Sequence, residues 1–155
     1  MHYDLIVMGM GLSGLMAAKT AADTGRKVLI LGKGMGSLCL FSNTIDVLGQ
    51  APTPMKMTDA LSRWIQDHPS HPYSKVGLKN LEEGLSSFLS LFPPPYSFQT
   101  IDNRNCLLPT GAGTLRPTYL IPVTMAGGIS VDKGRTLIVG FKASRISMAI
   151  MWRTS

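Results

Sequence analysis

The feature that most constrains this chain is the stretch over residues 4–22, DLIVMGMGLSGLMAAKTAA. An apolar run, Leu5-Ile6-Val7-Met8, stops at Gly9-Met10-Gly11-Leu12-Ser13-Gly14, and a helix-like pattern follows at once. It reads as a buried strand, a G-x-G-x-x-G turn and a helix. A second apolar run, Lys27-Val28-Leu29-Ile30-Leu31, comes after Gly25, where a helix C-cap is expected. Strand, glycine-rich turn, helix and strand within about 30 residues is the context that gives this motif its specificity.

Each glycine has its own physical reason. Gly9 permits the tight turn out of the strand, and Gly11 lets the backbone approach a phosphate with no side chain between them. Gly14 lets the helix pack closely on the strand. The helix then presents unpaired N–H groups and the positive end of its dipole to an anion. One expected part is missing. A dinucleotide site has an acidic residue about 20 positions further on, where it accepts hydrogen bonds from the adenosine ribose. Here that place reads Leu31-Gly32-Lys33-Gly34, and no carboxylate follows until Asp46. A charge-assisted bond contributes about 1.5–3 kcal/mol, so its loss weakens adenosine binding about 10- to 100-fold. A ligand with a phosphate but no adenosine, such as FMN, does not miss it. Lys33 reads as a solvated loop lysine or as a phosphate contact.

A chain of 155 residues suits one domain. With 45% hydrophobic and 15% charged residues it is neither a disordered nor a coiled-coil sequence. The low charge and the 10 methionines suggest surfaces covered by a further domain or by a protein partner. The net charge of +6 is scattered rather than gathered into a stripe, which argues against nucleic acid. Cys39 and Cys106 are lone cysteines without metal-ligand spacing and suit a reducing compartment. The N-terminal apolar stretch is broken by glycines and preceded by Asp4, unlike a signal peptide, and no segment reads as transmembrane. The expected location is cytoplasmic.

Further along, residues 38–49 mix apolar and small polar groups, as suits a loop folding over a ligand or a buried connector. Residues 50–54 read as a linker. A short helix opens with Thr58 as N-cap and ends near Asp67. Residues 68–74, HPSHPYS, are irregular by their prolines; His68 and His71 lack the Cys or acidic companions of a metal site. Residues 76–92 read as one amphipathic helix with Leu78, Leu81, Leu85, Phe88, Leu89 and Phe92 on its core face, stopped by Pro93-Pro94-Pro95. Residues 96–101 and 106–108 suggest two strands around a turn at 102–105. Arg116, in a glycine-rich stretch, is either an anion donor or an exposed loop arginine. Residues 119–123 look strand-like, and residues 136–141, TLIVGF, read as a parallel-sheet strand.

The chain resembles the N-terminal part of the B-subunit family of anaerobic glycerol-3-phosphate dehydrogenase. The likeness rests on residues 4–14 and on three landmarks in the family's order: Phe41-Ser42-Asn43-Thr44-Ile45-Asp46, His71-Pro72-Tyr73-Ser74 and Gly113-Thr114-Leu115-Arg116-Pro117-Thr118. It covers residues 1–141. The resemblance implies a flavoprotein with FMN as cofactor and FAD as the alternative. It also implies a complex with two companions, the catalytic subunit of the same enzyme plus its membrane-anchoring iron–sulfur subunit. That complex oxidises glycerol 3-phosphate to dihydroxyacetone phosphate and passes electrons to quinone at the inner face of the membrane.

The expected fold is α/β: a Rossmann-like FAD/NAD(P)-binding βαβ segment with a small, mainly β insertion and an incomplete sheet. Three regions follow: residues 1–50 bind flavin, 51–130 form the insertion on the substrate side, and 131–155 supply a return strand and tail. Gly9, Gly11 and Gly14 are the expected phosphate contacts, with Ser13 and Ser42 as further ones. No catalytic base stands out; His68, His71 and Arg116 are unranked candidates. Two other readings stay open. One is an NAD(P)-linked dehydrogenase, with Lys33 suited to NADP, or another FAD-dependent oxidoreductase; the other is an inactive chain that folds only against a partner and binds nothing.

Overall fold

The computed structural model describes residues 1–34, 36–49, 54–110, 113–130 and 135. They fall into two compact units, Met1–Ser42 and a second beginning at Asn43. In the first, β1 (Leu5–Met8) and β2 (Val28–Leu31) pair in parallel, joined by α1 (Leu12–Asp23). The register runs from Leu5 opposite Val28 to Met8 opposite Leu31. The Gly9 N–H extends the ladder by donating to the Leu31 carbonyl at 2.7 Å. The helix buries Ala18 and Ala21, side chains small enough to seat it closely. It ends at Thr24, and Gly25 follows at φ +79°, the left-handed residue expected just past a C-terminus.

This βαβ unit is the Rossmann-type element the sequence predicts. Its strands are nearly all apolar, the composition of sheets covered on both faces, yet Ile6 is 55% exposed and Met8 85%. A short 3-10 segment, Gly36–Leu40, leads out of it.

Among the described residues the second unit is not mainly β: it carries three helices, α2 (Met57–Asp67), α3 (Pro72–Val76) and α4 (Leu78–Leu89), beside strands of two to four residues. Lys56, not Thr58, occupies the N-cap of α2, and Thr58 lies inside the first turn. The prolines of 68–74 do not leave the segment irregular: Pro72 takes the first position of α3, where its missing N–H is no loss. The single helix expected over 76–92 is interrupted at Gly77, whose φ of +81° separates α3 from α4. The expected pairing of 96–101 with 106–108 does not form either. β3 (Phe98–Gln99) pairs antiparallel with β6 (Ile121–Pro122), and β4 (Cys106–Pro109) with β5 (Leu115–Thr118). After β6 the backbone turns 3-10 over Val123–Ser130, so the strand expected over 119–123 is cut short. Pro117 is accepted in β5 because a two-stranded ribbon leaves an outer edge that needs no N–H. The strand expected over 136–141 lies outside the described residues.

Among the described residues two clusters hold this unit. Leu78, Leu81 and Leu85 of α4 pack on Val47, Met57 and Leu61, as the apolar face predicts. Cys106, Leu108 and Ile121 form the other cluster, covered by Met125 and Ile129. Phe88 adds an aromatic group with Phe92 and Phe98, ring centres 4.9 and 5.9 Å away.

Two glycine substitutions test this backbone. Gly77→Ala forces a side chain into a left-handed extended conformation and is expected to lower stability by about 1–3 kcal/mol. Gly84→Ala lies inside α4, where an added Cβ meets nothing within 4 Å, and is expected to raise stability by about 1 kcal/mol. Denaturant midpoints measure both.

Candidate functional site

The first candidate site is the turn between β1 and α1. Gly9 adopts φ +110°, which only glycine takes without strain. Gly14 is tighter still, because a Cβ built there falls 2.1 Å from the Gly9 carbonyl oxygen and 3.5 Å from Val7 Cγ1. Helix and strand therefore meet backbone to backbone. Gly11 is the N-cap of α1 in extended conformation, and no side chain caps the helix. No acidic residue occupies the first turn, so its N–H groups keep their capacity for an outside anion. A Cβ added at Gly11 meets nothing within 4 Å. The space before the helix is kept clear by an absent side chain, which fits a phosphate.

Ser13 lies exposed in the first helical turn, and Ser42 closes the first unit beyond the 3-10 segment. Gly36, at φ +58°, brings the loop after β2 back over the turn: a Cβ there lies 3.7 Å from Gly11 Cα.

The place of the missing acid has a structural counterpart. Gly32 directly follows β2, and a Cβ built on it falls 2.3 Å from Met10 Cγ and 3.0 Å from Met10 Sδ. The Met10 side chain fills the volume through which a side chain at position 32 would leave. Sequence reasoning passed over Met10; the glycine at the acid's position was the available signal.

The second unit holds the other candidate. Ile45 forms an antiparallel bridge to Leu120, its N–H donating to the Leu120 carbonyl at 2.9 Å. Asn105 Nδ2 donates to the Val47 and Leu48 carbonyls at 3.3 and 3.1 Å, holding the bend where Leu48 has φ +44°. The segment is thereby pinned so that Arg116 Nη2 donates to Thr44 Oγ1 at 2.5 Å, and Arg116 Nη1 lies 3.5 Å from Asp46 Oδ2. Arg116 is thus neither a bare loop arginine nor an open anion hook, because Asp46 balances its charge. Both side chains are 40% exposed, and such a pair contributes about 0–1 kcal/mol. Its importance is positional.

Asp46 also lines a cleft of about 510 Å³ with Arg63, Trp64, Asp67, His68, His71 and Tyr73. Asp46, His71 and Tyr73 belong to two of the landmarks, and Arg116, which holds Asp46, belongs to the third. Landmarks far apart in sequence therefore converge on one place. His68 stacks on Trp64 with ring centres 3.8 Å apart, and His71 meets Trp64 edge-on at 5.6 Å. Arg63 and Trp64 were not singled out by sequence; the i, i+4 spacing of Trp64 and His68 was the signal. Cys106 is no candidate nucleophile. Burial is the main cause that pushes its thiol up from the ordinary value, and the thiol lies in the core. Among the described residues, no group of three or more His, Cys, Asp or Glu is arranged to hold a metal.

A parallel βαβ unit with a glycine turn and an uncapped helix N-terminus has the form of a nucleotide- or flavin-binding protein. Residues 4–153 match the FAD binding domain family, and the chain belongs to it. More particularly, its sequence is similar to the B subunit of anaerobic glycerol-3-phosphate dehydrogenase. It is 38% identical to that protein of Vibrio cholerae over 160 residues, which cover 99% of this chain and 36% of the relative. Identity to the probable B subunit of Halobacterium salinarum is 31% over 140 residues, 90% of this chain and 32% of the relative. The Aliivibrio fischeri protein is 30% identical over 143 residues, 88% of this chain and 31% of the relative. The chain spans about a third of the length of these curated relatives. No solved structure matches it. The resemblance read from the sequence is borne out.

Gly14→Ala is expected to destabilise the first unit, because the Gly9 carbonyl and the new methyl group cannot share one place. Gly11→Ala is expected to leave stability within about 0.5 kcal/mol, as for a surface change. Thermal melting of the two variants separates these outcomes.

Proposed function

We propose that this chain is the flavin-holding part of the B subunit of a glycerol-3-phosphate dehydrogenase and that its cofactor is FMN. The observation that carries the reading is the 38% identity to the Vibrio cholerae protein over 99% of this chain, supported by a glycine turn that leaves the N-terminus of α1 uncapped. Gly9, Gly11 and Gly14 leave the approach to the α1 N-terminus open, and backbone N–H groups of the first turn bind the phosphate. Ser13 and Ser42 are the further contacts. Bound flavin supplies the two-electron acceptor for the alcohol carbon of glycerol 3-phosphate, which becomes dihydroxyacetone phosphate.

FMN is favoured over FAD by Gly32 and Met10. The family is named for FAD, but here no carboxylate stands at the end of β2, where Gly32 takes its place, and Met10 occupies the space one would need. The same absence disfavours NAD.

The relatives' name marks them as one subunit of an assembly. The proposed partners are the catalytic subunit of that assembly and the membrane-anchoring iron–sulfur subunit that carries electrons to quinone. Among the described residues no helix is long and apolar enough to cross a membrane. The proposed location is cytoplasmic, peripheral on the inner face of the membrane.

Titration with FMN and FAD, followed by quenching of flavin fluorescence, tests the cofactor assignment. The chain is expected to prefer FMN, and Gly11→Leu to lose FMN binding with its circular dichroism unchanged. The double variant Met10→Ala/Gly32→Glu is expected to gain about 10- to 100-fold in FAD affinity. Equal affinity for both flavins in the unsubstituted chain would overturn the FMN assignment. Anaerobic loss of flavin absorbance on adding glycerol 3-phosphate tests the substrate, and an unbleached spectrum counts against it.

A further inference from the structure

The cleft of the second unit has an asymmetry that points to its ligand. His68 Nδ1 lies 3.1 Å from the Trp64 carbonyl oxygen. A carbonyl only accepts, so Nδ1 carries the hydrogen, and Nε2 of the neutral ring keeps its lone pair. His71 has the opposite arrangement. The Tyr73 N–H donates to His71 Nδ1 at 3.2 Å, capping α3, so the hydrogen of this neutral ring sits on Nε2. Backbone groups thus fix two neighbouring imidazoles in opposite tautomers, one free edge an acceptor and the other a donor. Among the described residues neither Nε2 has a hydrogen-bond partner.

Two further observations belong to the same cleft. Trp64 Nε1 is buried without a partner among the described residues, a state uncommon enough in folded proteins to call for an explanation. Arg63 is 74% exposed, and its Nε stands 3.9 Å from Asp67 Oδ2, too far for a good hydrogen bond. It is a cation on a long stem at the rim, able to turn toward an anion. The volume of about 510 Å³ lies within the roughly 300–1,000 Å³ of small-molecule pockets.

We propose that this cleft is a binding site for a small phosphorylated polyol. His68 Nε2 accepts from a ligand hydroxyl, His71 Nε2–H donates to a ligand oxygen, and Arg63 offers its terminal N–H groups to the phosphate while its Nε stays beside Asp67. A hydroxyl is the group that satisfies an adjacent acceptor and donor together, because it donates once and accepts as well. Asp46, neutralised by Arg116, borders the cleft without presenting an unbalanced negative charge to the anion. The choice of ligand rests on the glycerol 3-phosphate reading above, whereas the site and its polarity rest on the two histidines and Trp64.

The test uses the flavin-free chain and a long-range 1H–15N spectrum of its imidazoles. His68 is expected as the Nδ1–H tautomer and His71 as the Nε2–H tautomer. Glycerol 3-phosphate is expected to shift both, leaving His2 unmoved, with glycerol alone and inorganic phosphate alone at least about tenfold weaker. His68→Phe keeps a ring on Trp64 and removes the acceptor, and is expected to weaken binding about tenfold. Rings that stay unmoved by glycerol 3-phosphate would overturn the proposal, as would a His68→Phe variant that binds equally well. Inorganic phosphate binding as tightly as the ester would reduce the site to an anion site and also overturn it. Flavin uptake is measured separately. Histidine shifts without flavin binding remove the cofactor assignment and leave the cleft; flavin binding without histidine shifts does the reverse.

Discussion

The contact between Gly14 and the Gly9 carbonyl governs the first unit. With a Cβ excluded at 2.1 Å, α1 sits against the end of β1 at backbone distance, which aims its N-terminus over the strand end. Everything attributed to the site follows from that placement: uncapped N–H groups, the clearing at Gly11, and the return of the loop at Gly36. Any other residue at position 14 would lift the helix away from the strand and blur the focus of its dipole. The parallel pairing of β1 and β2 then fixes where Gly32 stands, and Met10, from within the turn itself, fills the volume next to it. The uncapped N-terminus of α1 and the position of Met10 beside Gly32 are thus consequences of one short segment.

The second unit achieves its arrangement by tying distant segments together. The bridge from Ile45 to Leu120 and the amide of Asn105 hold the 43–48 backbone, so that Thr44 and Asp46 meet Arg116. On the other side, Pro72 starts a helix whose cap is His71, and α2 ends at His68. Both histidines are therefore held by helix termini, the positions at which backbone N–H and C=O groups still seek partners. Backbone groups, rather than the two rings themselves, are therefore the partners of both Nδ1 atoms.

The glycine turn was legible in the sequence because each of its requirements is local: a tight turn, an open approach and a close packing, all within six residues. The core face of α4 was legible for the same reason, its period being written in Leu78, Leu81 and Leu85. What failed was non-local or depended on a single dihedral. Gly77 stands between two good helical patterns, and only its positive φ reveals the break. The 96–108 region suggests a hairpin, but its turn residues Asp102 and Asn103, at φ +51° and +54°, close only the Ile101–Arg104 bridge. The true partners of these strands come from the 115–122 segment. Likewise Arg116 reaches a residue 72 positions away in Thr44, and no pattern of spacing announces such a pair. The landmarks marked a family without saying why they belong together; the cleft supplies a physical reason.

The most direct measurement is the visible spectrum of the purified chain, with the mass of any flavin released from it. A chain whose glycine turn binds a phosphate but whose Gly32 and Met10 offer nothing to an adenosine should carry, or take up, a yellow cofactor with the mass of FMN. A released cofactor with the mass of FAD would contradict the role given to Gly32 and Met10. A protein that stays colourless after incubation with FMN would contradict the central claim that this turn holds a flavin.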